Sequence, residues 1–251
     1  MSYNYPLPYK YIMESDIMPT LKNMLLCGLT PIEKCLYVFG GGWNDENTAA
    51  GTKAKTIGLS KSWESFYNKN DSSYDYEKTK YRIHDGLDCT GYLGWLMYQI
   101  FGDTYSDNGY VFPSAQTAEK YAEIFGGKVI PKEKLTHRQC GDIMCKDGHV
   151  YITVGECSDG SIVILHASPP SVSLCGTAAY ENRNSAAIRL AKQYMQAYFP
   201  KCIEKYPNYA RNSAYLTEYD AVRWNGDILQ DPDGYRKMSA EDILADLFKY
   251  D

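Results

Sequence analysis

The apolar positions of the chain change period near its middle. Leu93, Leu96, Met97, Ile100 and Phe101 recur at i, i+3, i+4, i+7 and i+8, which predicts a helix over residues 90–101. Gly102 is placed to end it. A second helix is expected over 114–125, starting at Ser114 after Pro113. Nearer the start, residues 14–28 read as a helix interrupted by Pro19, with Leu21, Leu25 and Leu26 on one face. Thr30-Pro31-Ile32-Glu33 carries a cap, a proline at the first helical position and a capping-box Glu. It predicts a short helix that runs into Leu36-Tyr37-Val38-Phe39 and stops at Gly40-Gly41-Gly42. Residues 1–13, rich in Tyr and Pro, read as an extended arm.

From residue 142 the pattern shortens to β-type runs. Asp142–Cys145, His149–Gly155 and Ser161–His166 are separated by Asp147-Gly148 and Asp159-Gly160, and Asp-Gly between such runs is a strong hairpin signal. Val172–Leu174 and Ala221–Trp224 could add strands. Helical spacing returns over 184–199, stopped by Pro200, and over 239–249 with Ser239 as cap. Helices first and a meander of strands afterwards give an α+β class. Residues 44–85 are polar and lack a clear period, with Trp63, Phe66 and Tyr67 as their anchors. A stretch of that length inside a compact domain is usually either functional or disordered. We read one domain over residues 1–251, with 44–85 and 176–215 as insertions.

Composition narrows the function. The chain carries 26 basic and 31 acidic side chains, net −5, which gives no global attraction for a phosphate backbone. Nucleic acid is therefore not expected as a partner. No apolar run approaches the ~18 residues of a membrane span. The longest, Gly91–Phe101, is interrupted by Gln99. The 8 cysteines are too few for a disulfide scaffold and read as reduced thiols. The 24 tyrosines, against 7 Phe and 4 Trp, suit either contact surfaces or a half-wet core.

The candidate chemistry centres on Asp88-Cys89-Thr90-Gly91, which opens the 90–101 helix. A cysteine at a helix N-terminus faces unpaired N–H groups and the positive dipole end, which favours the thiolate. Cys89 lies four residues before Leu93 and seven before Leu96, on the inward face. His149 opens one β-run and His166 closes the next. A two- or four-residue loop near Ser158 would set both imidazoles on one face of the hairpin, and a three-residue loop would set them on opposite faces. A helix packed on a shared face would bring Cys89 beside His149, giving nucleophile, base and orienter. Cys140, Cys145, His149 and Cys157 could be read as a zinc cluster, but their spacing is irregular and contains no Cys-x-x-Cys pair.

Four blocks in order resemble the NlpC-type cell-wall peptidases, which are papain-like cysteine peptidases. They are Tyr37-Val38-Phe39-Gly40-Gly41, Asp88-Cys89-Thr90-Gly91, Gly141-Asp142 leading to Gly148-His149-Val150, and Ile164-Leu165-His166-Ala167-Ser168. The resemblance covers about residues 25–175. It implies a papain-like fold, with N-terminal helices on a central antiparallel sheet and a C-terminal helical extension. It also implies that Cys89 is the nucleophile, His149 the general base and His166 the residue that orients the base. Tyr37 would place its hydroxyl near the reacting carbonyl, the Cys89 N–H would help hold the oxyanion, and Asp88 would pair with a free amine of the substrate. Thr90 stands where the family usually has Ser, and the gap occupied by 44–85 is longer than usual.

The substrate implied is a peptidoglycan stem peptide or muropeptide, cut at the γ-D-Glu bond to the diamino acid. That chemistry needs no metal or organic cofactor. A thiol amidase or acyl transferase on another amide, and a non-catalytic binding module, are the rival classes. The 44–85 insertion, flanked by two site blocks, is expected at the cleft mouth. No signal-peptide stretch is visible at the start, so cytoplasmic recycling, delivery by another route and removal of a leader all remain open, as does oligomeric state.

Overall fold

Seven strands form one sheet, in the spatial order β1-β7-β2-β3-β4-β5-β6. The computed structural model describes residues 19–179 and 184–249. The expected arm over 1–13, and the part of the 14–28 helix before Pro19, lie outside them. In chain order the elements are α1 (Leu21–Leu29), α2 (Lys61–Lys69), α3 (Cys89–Phe101), α4 (Ser114–Phe125), β1 (Lys128–Ile130), β2 (Ile143–Lys146), β3 (His149–Glu156) and β4 (Ile162–Ser168). They continue as β5 (Ser171–Thr177), α5 (Ala186–Tyr198), α6 (Pro200–Lys205), β6 (Ala210–Arg211), α7 (Ala214–Thr217), β7 (Asp220–Arg223) and α8 (Ala240–Leu247). All pairings are antiparallel except β5 with β6. The class is α+β.

The sheet has two unlike faces because side chains alternate along each strand. Val150, Ile152, Val163 and Leu165 point toward α1 and α3 and join the main core with Leu93 and Leu96. Tyr151, Ile164 and Cys175 point the other way and are covered by Leu216 and Tyr219, from α7 and the turn after it. The second face is therefore closed by a short segment at the end of the 176–215 insertion rather than by a long helix.

The capping chemistry sets most helix starts. Thr20, Ser60, Asp88, Ser185 and Ser239 each accept from a backbone N–H in the first turn of the helix that follows. The expected helix start at Thr30-Pro31-Ile32-Glu33 is corrected. Thr30 ends α1 instead, with its N–H and hydroxyl both bonded to the Cys27 carbonyl. Glu33 adopts φ 67°, which no helix can continue through. Its carboxylate accepts from the Cys202 N–H instead of closing a capping box.

Trp63, Phe66 and Tyr67 of the 44–85 segment are all buried, and they sit on α2. Five tyrosines (92, 110, 121, 151 and 235) are fully buried, and four of these (Tyr92, Tyr110, Tyr121, Tyr151) donate to backbone carbonyls. For these the half-wet core reading holds. Each ring supplies apolar bulk while its hydroxyl satisfies a carbonyl that would otherwise be orphaned.

Candidate active site

α3 begins at Cys89, and its tip is held by close backbone packing. A Cβ on Gly91 would lie 1.9 Å from the Gly41 carbonyl oxygen, and one on Gly41 would lie 2.4 Å from the Gly86 oxygen. The Gly40–Gly42 turn therefore presses directly on the helix start. Asp88 ties the two together. Its Oδ1 accepts from the Gly91 N–H (2.7 Å) and the Thr90 hydroxyl (2.9 Å), and its Oδ2 accepts from the Gly40 N–H (3.1 Å). Thr90 in turn accepts from the Trp43 indole N–H at 3.1 Å. The carboxylate is thus committed to capping α3 and anchoring the glycine turn. Its burial raises its pKa to about 6, against the pull of these donors.

His149 and His166 are brought into direct contact. His149 Nε2 and His166 Nδ1 are 2.9 Å apart, with the rings in an edge-to-face arrangement. His166 is fully buried and His149 is half-buried. The pair shares its face with Tyr215 and Tyr219, whose ring centres lie 5.7 and 6.3 Å from that of His149. Both imidazoles are held neutral. Burial lowers the His149 pKa to about 3, helped by the charges of Arg211 and Lys146, and it pushes His166 down as well.

The expectation that α3 packs on the histidine face is corrected. The body of α3 lies on the opposite face, against Val150, Ile152 and Leu165. Cys89 meets the hairpin at its rim, where the Val150 N–H donates toward the thiol. That amide belongs to the residue directly after His149, so Cys89 and the start of β3 adjoin through the backbone.

The expected lowering of the thiol pKa is also corrected. Burial, followed by the neighbouring Asp88 charge, raises Cys89 to about 12, although amides of Val150, Thr90 and Cys89 itself pull the other way. Desolvation of a nearly enclosed sulfur outweighs the helix tip. At rest the site holds a neutral thiol and neutral imidazoles.

Tyr37 joins from the Gly-Gly side. Its backbone bridges to Leu87, one residue before Asp88, and its ring is close enough to Cys89 and Asp88 that their charges add to burial in raising its hydroxyl pKa. The 44–85 segment braces it. The Tyr76 ring packs edge-on against Tyr37 with centres 5.5 Å apart, and the Tyr74 hydroxyl donates to the Tyr37 carbonyl at 2.7 Å.

Four participants escaped the sequence reading: Tyr76, Arg211, Tyr215 and Tyr219. Only the excess of tyrosine pointed toward the three tyrosines, and nothing pointed toward Arg211; the Tyr215/Tyr219 spacing of four is the helical neighbour spacing. Among the described residues no group of three or more His, Cys, Asp or Glu is placed to hold a metal ion. No family model, no curated protein and no solved structure matches the chain.

Proposed function

We propose that the protein is a cysteine-dependent amide hydrolase, related to the NlpC-type peptidases and acting on peptidoglycan stem peptides. The observation that carries this reading is the 2.9 Å contact of His149 Nε2 with His166 Nδ1, on a strand whose next amide, Val150, adjoins the thiol of a cysteine at a helix tip. His166 occupies one ring nitrogen of His149, which leaves Nδ1 as the only nitrogen free to serve Cys89. That is the base-and-orienter arrangement a nucleophilic cysteine requires. The order of the four sequence blocks supports a papain-like fold and the γ-D-Glu to diamino acid bond as the target.

In this reading the substrate carbonyl enters beside Cys89. His149 Nδ1 takes the thiol proton as sulfur attacks, because the resting pair is neutral. The bridge to His166 holds the imidazole plane and shares the new charge. The Cys89 N–H, assisted by the Tyr37 hydroxyl, stabilises the oxyanion. His149 then returns its proton to the leaving amine, and water hydrolyses the thioester. Asp88 acts here by fixing the helix tip. Its oxygens already accept three donors, so the pairing with a substrate amine is not carried forward.

The test is mass spectrometry of L-Ala-γ-D-Glu-diaminopimelate tri- and tetrapeptides and intact muropeptides, incubated with wild type and with Cys89→Ala. Cleavage by wild type alone, with product masses marking the γ-D-Glu bond, is the expected result. Absence of cleavage across the whole mixture would overturn the substrate assignment and shift weight to another amide.

A further inference from the structure

Behind the imidazole pair lies a cation that the proposed chemistry does not use. Thr177 pairs with Arg211 between β5 and β6, while Ile164 pairs with Cys175 and His166 with Ser173 between β4 and β5. These registers set Arg211, Cys175, Ser173 and His166 on one face of the sheet. A chain of contacts connects them. Arg211 Nη1 donates to Asn208 Oδ1 (2.6 Å), the Asn208 carbonyl accepts from Cys175 Sγ (3.2 Å), and Cys175 Sγ lies 3.2 Å from the Ser173 hydroxyl. Ser173 stands directly across from His166. Tyr215 closes the space from above, its ring centre 5.9 Å from that of His166.

Among the polar atoms buried on this face without a hydrogen-bond partner in the described residues are His166 Nε2 and Arg211 Nη2, together with Thr153 Oγ1 and Arg138 Nε. Arg211 bonds to neutral partners, Asn208 Oδ1, the Ala210 carbonyl and the Tyr215 side chain, and no carboxylate among the described residues forms an ion pair with it. The other groups on this face are Lys146 from β2, Tyr151 from β3, Cys175 from β5, Tyr215 and Tyr219 from the segment at α7, and Arg138, which donates to the Leu216 carbonyl, while Cys89 adjoins it at the rim. Lys146 is already neutralised by Glu218 at 2.7 Å. Arg211 is thus the cation that acts on both imidazoles with no carboxylate to balance it, and a guanidinium keeps its proton at any working pH.

The proton count of the pair shows why this matters. Two imidazoles have four ring nitrogens. One proton lies in the Nε2···Nδ1 bridge. His149 Nδ1 must be bare to accept the Cys89 proton, so the second proton of the neutral pair sits on His166 Nε2, which is buried without a partner among the described residues. Accepting the thiol proton turns the pair into a cation on the sheet face that also carries Arg211.

We propose that Arg211 is a positioning residue that acts through His166, holding the imidazole pair neutral until the thiol proton is transferred. The consequence is twofold. The thiol stays protonated and unreactive at rest, and the imidazolium formed during attack is a strong acid toward the leaving amine. This rests on the assignment of Cys89, His149 and His166 as the reactive group, but its test requires no substrate.

The experiment is an NMR pH titration of the four histidine rings in wild type, Arg211→Gln, Arg211→Lys and Lys146→Gln, with His84 and His137 as internal controls. Arg211→Gln should raise the protonation midpoints of His149 and His166 by about one unit. Arg211→Lys should restore them toward wild type, and Lys146→Gln should move them far less. If Arg211→Gln does not fold, Asn208→Asp neutralises the guanidinium in place and should shift the midpoints the same way. Midpoints unchanged in a folded Arg211→Gln or Asn208→Asp would overturn the proposal. Loss of peptide cleavage with the titration shifts intact would count against the substrate assignment alone.

Discussion

His149 and His166 share a face of the sheet because β3 carries an extra residue between them. Near the turn the pairs are Glu156 with Ile162 and Gly155 with Val163, a register that would put the two histidines on opposite faces. The register then shifts between Thr153 and Gly155, and the next pairs are Thr153 with Ile164 and Ile152 with Leu165. This bulge at Val154 turns the remainder of β3 over relative to β4, as a one-residue slip must. The contact at 2.9 Å depends on that residue as much as on the histidines.

Substitutions at the three central side chains should fall in a fixed order. Cys89→Ala removes the nucleophile and should abolish turnover while the fold persists. His149→Ala removes the proton acceptor and should cost about 10²–10⁴ in kcat/KM. His166→Ala removes a partner that acts through His149 and should cost less, about 10–100-fold, with most of the loss recovered in His166→Gln. Steady-state kinetics on a cleaved stem peptide check the order. A His166→Ala loss equal to that of Cys89→Ala, with His149→Ala nearly intact, would invert the two roles.

Much of the fold was legible because its signals are local. The α3 and α4 periods, the Asp-Gly turns and the Ser239 cap all act within a few residues, and the elements stand close to where they were expected. Thr30–Glu33 failed for a tertiary reason: Glu33 spends its carboxylate on the Cys202 N–H, a partner 169 residues away. The site was legible in its histidines and its cysteine, but not in how they meet. A bulge leaves no mark in a β-type run, so the parity of the turn alone would have separated His149 from His166. The thiol pKa was misjudged because burial is set by the whole packed core, whereas the helix tip is visible in three residues. Tyr215, Tyr219 and Arg211 lie some 45 to 70 residues from the histidines they face, with nothing but composition to announce them.

Labelling should report the neutral resting state directly. With the thiol raised to about 12 by burial, iodoacetamide modification of Cys89 should rise about tenfold per pH unit from pH 7 to 9 and lag behind a free cysteine throughout. Peptide mapping separates Cys89 from the seven other cysteines, all of them free thiols. A fast, pH-independent plateau across pH 5–8 would instead mark a preformed thiolate–imidazolium pair.

Stability should fall in mild acid. His149 and His166 have folded-state pKa values below the unfolded value near 6.5, so the unfolded chain binds more protons as pH drops below that point. Their contribution is complete above pH 6.5 and is lost as pH falls toward about 3 for His149. Each imidazole is worth about 1.4 kcal/mol per pH unit in that window. Asp88 works in the opposite sense. Its folded pKa is raised to about 6, so between there and the unfolded value of 3.8 it makes the folded state hold the extra proton. The net slope should be somewhat under one proton per unit at pH 6.5 and about one from pH 6 to 5, because the growing uptake by the two unfolded imidazoles is offset by protonation of Asp88 in the folded state. Urea midpoints from pH 7 to 5 measure this, and a flat profile would show that the imidazoles are protonated in the folded state.

Gly91→Ala tests whether the glycine turn fixes the reactive tip. The added Cβ would meet the Gly41 oxygen at 1.9 Å, with the Gly41 carbon at 2.9 Å and the Gly42 Cα at 3.1 Å, all of them backbone atoms. No rotamer change relieves such a contact, so either α3 or the 40–42 turn must move. Asp88 spans both, through the Gly91 and Gly40 amides, and separation would strain or break one of those bonds. Overpacking of this kind typically costs about 1–3 kcal/mol. The displacement also carries Cys89 away from the Val150 amide and from Tyr37. Activity should therefore drop by far more than the lost stability explains, at temperatures where the variant remains folded. Gly94→Ala is the control. It lies on the same helix, where a Cβ would meet Val111 and the Tyr110 backbone, so it also overpacks, but one turn from the tip. Comparable destabilisation in both, with kcat reduced only in Gly91→Ala, is the expected result. Equal kcat losses in the two variants would show that the tip geometry carries no special weight.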